Sequence, residues 1–260
     1  MSIPNAVRLA TAERLSDYFA LQLRFAETMA LRTDGSIREA VETYTNLRRR
    51  FGLPGLPQED AAIRWRAYLD GVERRTALSE RVAWTRETFA RSPEETPPAG
   101  HVAFGCFSYE PPDDHGVARI HFNNLDSGDG MGPLALAKAP RRREELGRLV
   151  AALAAAHPDA ARIRGASWLY NVESYRRLFP HAYVASRSAP SYARLSGTSS
   201  WGQFLDHTGA VKPDLRDAFL KNLGSLDVET PWRVFPLSAL VAEAPIEVFI
   251  EQYGAGGDLR

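Results

Sequence analysis

The residues best placed to do chemistry in this chain lie at the ends of two apolar stretches. In GVARIHFNN (116–124), Ala118, Ile120 and Phe122 alternate with Arg119, His121 and Asn123. Side chains of an extended chain point alternately to opposite faces, so this period of two collects a guanidinium, an imidazole and a carboxamide on one side of a strand. An imidazole with an ordinary pKa near ~6.5 is suited to taking and returning a proton. His121 is therefore the first candidate acid or base, with Arg119 and Asn123 as groups that would orient a substrate. The other stretch is ARIRGASWLYN (161–171), which closes on Ser167, Trp168, Tyr170 and Asn171. Tyr170 is a second acid/base candidate, and Ser167 and Asn171 are candidate substrate ligands. A solvated sheet face and a hydrogen-bonded structural histidine are the bland alternatives for the same pattern.

Between the two stretches lies DSGDGMG (126–132), with Gly128, Gly130 and Gly132, followed by a helix that opens on Arg141, Arg142 and Arg143. A glycine-rich loop before a helix can cradle an anion on its backbone amides, which makes the three glycines, Arg141 and Arg142 candidates for an anionic cofactor. Asp126 and Asp129 oppose that use and suit a divalent cation or a hydroxylated ligand better. Three arginines also oppose the positive end of the helix dipole, at up to ~1 kcal/mol of unfavourable interaction each. An anionic ligand or the loop aspartates would each account for them.

Other chemistries are missing from the sequence. There is no Walker, EF-hand or Gly-x-Ser-x-Gly motif, and neither His-Glu-x-x-His nor Cys-x-x-Cys occurs. No metal site is expected on these grounds. Cys106 is the single cysteine, set in the apolar run HVAFGCFSY, where a buried structural thiol is the expectation. Lysine plus arginine and aspartate plus glutamate are both 32, and this balance argues against a nucleic-acid partner. No segment reaches the ~20 apolar residues of a membrane span, and no apolar leader opens the chain. The expected location is the cytoplasm.

The elements that must carry these residues follow from periodicity. Residues 11–91 predict helices. Leu15, Tyr18, Phe19, Gln22, Phe25, Ala26 and Met29 trace one face of the first, and Ser36–Glu39 form a capping box for the second. The third, 58–91, is one long helix or two broken near Gly71. SPEETPPAG (92–100) predicts a linker. HVAFGCFSYE (101–110) and 116–124 predict an antiparallel hairpin, 140–157 a helix, 161–171 a strand, 172–179 a short helix and HAYVASR (181–187) a further strand. Pro213–Leu223 and Pro245–Tyr253 predict helices, Trp232–Phe235 a strand or short helix, and GAGGDLR a frayed tail. The fold class is thus mixed α/β: a predominantly antiparallel or mixed central sheet flanked by helices, preceded by an all-helical region. The expected division is 1–95 helical, 100–187 α/β core, and 188–260 a mainly helical part packed on that core.

The order strand, Gly-containing loop, helix, strand ending in asparagine, and short helix with a tyrosine resembles the second half of the GNAT N-acyltransferase core. Here Asn171, Tyr175 and SYRRLF (174–179) match the latter feature, and the similarity covers residues 101–187. The loop SGDGMGPLA departs from that family's loop pattern, and about fifteen residues lie between Asn124 and Pro140 where the family has a short turn. The resemblance implies small-molecule group transfer, with an acyl-CoA-like donor held by the loop and Arg141–Arg143. The alternative is a non-catalytic ligand-binding or interaction protein whose Trp-rich C-terminal part forms a partner or homodimer surface.

Overall fold

The computed structural model describes residues 5–94, 100–126 and 128–254. Parts of the expected linker and of the glycine loop, together with most of the tail, lie outside them. In chain order the helices are α1 Asn5–Arg14, α2 Ser16–Arg32, α3 Ile37–Tyr44, α4 Leu47–Arg50, α5 Gln58–Glu73 and α6 Leu78–Arg91. Strands β1 Val102–Phe104, β2 Phe107–Glu110 and β3 Val117–Phe122 follow, then α7 Ala139–Ala156, β4 Arg162–Ser167, α8 Glu173–Arg176 and α9 His181–Ala185. The chain closes with α10 Thr198–Trp201, α11 Pro213–Leu223, β5 Leu240–Pro245 and α12 Ile246–Gly254. The class is mixed α/β, as expected.

Two compact units form, each from two segments: Met1–Pro98 with Tyr192–Pro236, and Ala99–Ser191 with Leu237–Arg260. The expected third region, 188–260, is therefore split. Its first part joins the N-terminal helices because its aromatic residues pack among theirs. Trp201 is fully buried against Tyr18, Phe25 and Phe235, and its indole N–H donates to the carbonyls of Tyr44 and Leu195. Its second part supplies β5 and α12 to the sheet.

In the helical unit, the predicted stripe on α2 is buried from Tyr18 to Met29, and Leu21 and Leu23 are buried too, so this helix is enclosed on more than one side. The Ser36–Glu39 capping box is present. The break in 58–91 falls at 74–77 rather than at Gly71. Gly71 stays inside α5 because the Trp84 indole lies where its Cβ would be.

In the other unit the sheet order is β1-β2-β3-β4-β5, with β3 and β4 parallel and all other neighbours antiparallel. A parallel pair needs a long crossover, which α7 provides. Its Leu146, Leu149, Val150 and Leu153 are buried against Phe107, Tyr109, Ala118, Ile120 and Ile163. Each such side chain contributes about 1.5–3 kcal/mol by leaving water.

Three local expectations are corrected. The stretch 101–110 is two short strands folded at Gly105-Cys106, with Gly105 at φ 60°, a conformation that favours glycine at the first central position of a tight hairpin turn. The 181–187 segment is helical from His181 to Ala185, following Pro180 at its N-cap. Residues 240–245, for which no strand was expected, are the strand β5, while Pro231–Val234 form a short 3-10 helix, the second of the two forms expected there.

Candidate functional site

The alternation predicted for β3 is borne out in the core it builds. Ala118 and Ile120 are buried beside α7, while Arg119 is exposed and His121 half-exposed on the other face. On that face the register brings two neighbours. Val102 pairs with Tyr109 and Glu110 pairs with Arg119. Extended by one residue, the first ladder sets His101 opposite Glu110, and His121 lies on the diagonal two residues beyond Arg119. His121 Nε2 is 2.7 Å, and His101 Nε2 3.3 Å, from the same oxygen, Glu110 Oε1. The two imidazoles stack with centroids 4.8 Å apart and planes 24° from parallel. Glu110 Oε2 is 3.7 Å from Arg119, which is itself 3.2 Å from Asp113. The amides of Val117 and then His115 donate to Asp113 and hold its carboxyl below the usual range.

The centre lies where β3 and β4 part. Their ladder runs from Val117↔Arg162 to Ile120↔Gly165. Beyond it β3 continues to Phe122 with β2 as its partner, and β4 continues to Ser167 paired with β5. His121 is the first residue of β3 past the end of that ladder. Asn123 follows on the same strand path, half-buried, with its backbone N–H donating to the Cys106 carbonyl at 2.8 Å.

Tyr170, Ser167 and Asn171 do not join this centre. Tyr170 is buried on the opposite face, because Gly165, which pairs with Ile120, turns its missing side chain toward the tyrosines. The Tyr170 and Tyr183 hydroxyls are 2.5 Å apart there. Burial pushes the Tyr170 phenol well above its ordinary pKa, which is unsuited to acid/base work near neutrality. The Ser167 hydroxyl accepts from Leu169 N–H at 3.1 Å and caps a short turn. The Asn171 carboxamide donates to the Trp168 and Ser238 carbonyls, both at 2.8 Å, tying the turn after β4 to the approach to β5. These side chains are engaged in holding backbone. Gly165→Ala is expected to cost about 1–3 kcal/mol by overpacking, since a Cβ would overlap both hydroxyls. Urea unfolding of the variant against the parent measures it.

The glycine loop is built around a residue the sequence reading did not single out. Lys138 Nζ donates to the Asp126 carbonyl at 2.9 Å, Asp126 Oδ1 at 3.1 Å, Asp129 Oδ1 at 2.8 Å and the Met131 carbonyl at 3.2 Å. The cation suited to the two aspartates is thus the chain's own ammonium. These bonds hold both carboxyls below their usual range and raise the lysine. Arg141 and Arg142 meet Asp126 Oδ2 at 3.2 and 2.6 Å, and each also pairs with Glu145. Three cations thus face three carboxylates, Asp126, Asp129 and Glu145. The loop aspartate Asp126 accounts for Arg141 and Arg142, and little of their charge is left for a phosphate. Arg142 is wholly buried and also donates to Cys106 Sγ. Arg143 donates to the Arg177 carbonyl at 3.3 Å. A Cβ at Gly128 or Gly130 would meet nothing within 4 Å, so packing does not demand either glycine, although Gly130 has φ 77°. The Gly132 carbonyl accepts from Ala135 N–H at 3.1 Å.

His101 and Glu110 were also missed. Read as one strand, 101–110 separates them by about 30 Å; the Gly105 turn brings them together. A glycine in the middle of an apolar run was the available signal. No protein-family model, curated protein or solved structure matches the chain. Among the described residues, no helix is long and apolar enough to cross a membrane.

Proposed function

We propose that the protein is an enzyme of small-molecule group transfer, taking an acyl group from an acyl-CoA-like donor, with His121 as its acid/base. The observation that carries this reading is the approach of His121 Nε2 to Glu110 at 2.7 Å, at the point where two parallel strands separate. A carboxylate at that distance orients an imidazole and stabilises the imidazolium formed when it takes a proton. Crevices beyond the carboxyl ends of parallel strands are the usual ligand positions in such sheets. An extended donor arm carrying amides is the kind of ligand that parted strand edges can pair with. Arg119 on the same face, and Asn123 two residues past His121, are the candidate substrate ligands. The exposed Arg143 remains for donor phosphates, whereas Arg141, paired with Asp126 and Glu145, the buried Arg142 and the filled loop do not support that role. Calorimetry with acetyl-CoA and longer acyl-CoA tests the donor class: saturable heat is expected, and its absence across the series excludes acyl-CoA.

One observation favours the second reading, a binding protein without catalysis. Leu125, Met131 and Leu136 are 67%, 44% and 73% exposed around the loop, and exposed apolar groups of this kind mark interaction surfaces when contiguous. Light scattering distinguishes a homodimer from a monomer.

A further inference from the structure

We propose that His101, Glu110 and His121 form a binding site for a divalent transition-metal ion of the zinc class. Glu110 and His121 come from β2 and β3 and His101 from the residue just before β1, and one ligand atom from each lies within 4.8 Å of the other two. Imidazole nitrogen and carboxylate oxygen are the donors zinc takes, at about 2.0–2.2 Å. Tetrahedral donors at that distance stand about 3.3 Å apart. The His101–Glu110 separation is 3.3 Å, that of His121 is 2.7 Å, and all three atoms lie within 4.8 Å, so the stacked imidazoles re-aim to close on the ion. Both Nε2 atoms already converge on one carboxylate oxygen, the approach of donors that a single cation could draw together. Two imidazoles and one carboxylate are three ligands, so a fourth position is left to water.

The surroundings supply the supporting shell such a site needs. Arg119 lies by the other Glu110 oxygen and is fixed by Asp113, and outer partners of this kind orient ligating carboxylates. The hairpin backbone sets the spacing, since the Gly105 turn and the 111–116 turn fix both registers. The site does not follow a sequence motif, because its ligands are nine and eleven residues apart and meet only through strand pairing.

Metal occupancy and base catalysis are alternatives at His121. Coordination through Nε2 leaves Nδ1 holding its proton, so a zinc-loaded chain would be the silent form of the proposed transferase. Binding is measured without reference to turnover, so either proposal can fail alone.

The experiment strips the full chain with a chelator and titrates it with Zn²⁺ by calorimetry at neutral pH. One ion per chain with a micromolar or tighter Kd is expected. Co²⁺ should give visible ligand-field absorption, and Zn²⁺ should displace it. His101→Ala, Glu110→Gln and His121→Ala should each weaken binding by at least about tenfold, with circular dichroism checking their fold. On the parent chain, imidazole NMR signals of His101 and His121 should move with Zn²⁺ while those of His115, His157, His181 and His207 stay. Binding no tighter than millimolar, affinity unchanged in folded variants, or movement confined to the other four histidines would overturn the site.

Discussion

Arg142→Ala is expected to lower the stability of the sheet-bearing unit by about 3–5 kcal/mol, the cost of removing one partner from a buried ion pair. The Arg142 side chain is wholly buried. Its guanidinium lies 2.6 Å from Asp126 and 3.2 Å from Glu145. Glu145 is 1% exposed and accepts the Cys106 N–H at 3.0 Å. Truncation leaves that carboxylate beneath the β1–β2 turn, where Gly105 lies against it, with only the longer 3.5 Å ion pair to the exposed Arg141 among the described residues. Arg142→Lys should not rescue, because a single ammonium cannot reproduce the planar fork. The double variant Arg142→Met, Glu145→Gln should regain part of the loss, since it removes both charges. Arg141→Ala, at an exposed pair, should cost no more than about 1 kcal/mol. Denaturant midpoints of the four chains decide it. Equal small losses at Arg141 and Arg142 would return both to the ranks of ligand-binding arginines.

The largest functional effect is expected from His121→Ala: turnover of the transferred group should fall by about 10²–10⁴-fold, the usual contribution of a positioned acid/base. Stability should change little, because the side chain is 36% exposed. Glu110→Gln should lower turnover in the same direction, since a carboxamide carries no charge to stabilise the imidazolium. Tyr170→Phe is the control. It removes a hydroxyl whose partner is Tyr183 on the other face of the sheet, so it should leave turnover unchanged while costing about 0.5–1.5 kcal/mol of stability for a lost hydrogen bond. Steady-state kinetics with the acyl donor, alongside unfolding curves, separate the two. Activity lost in Tyr170→Phe and kept in His121→Ala would reverse the assignment.

What could be read from the residues in order was what local spacing controls. The α7 stripe Leu146, Leu149, Val150, Leu153 and the Ser36–Glu39 cap are settled within a few residues. The same holds for the two-faced pattern of β3 and for its hairpin with β2. Each follows from a period of 3.6 or 2, or from one capping geometry. Five residues at 181–185 are too few for either period to show, and there the expected strand is a helix. Lys138 escaped notice because its four acceptors lie in a loop whose conformation no period specifies.

The sequence by itself determined that a cation, an imidazole and a carboxamide alternate along one strand of a mixed α/β protein. Only the tertiary structure decided which of the remaining polar residues stand beside them. Strand pairing and the Gly105 turn set His101 and Glu110 against His121, at separations no linear motif encodes. The 3-10 turn after β4 placed Tyr170 on the opposite face, beside Gly165, and burial committed Arg142 to Asp126 and Glu145 rather than to a ligand. Register and charge compensation are properties of residues distant along the chain, and they exist only once the sheet has formed.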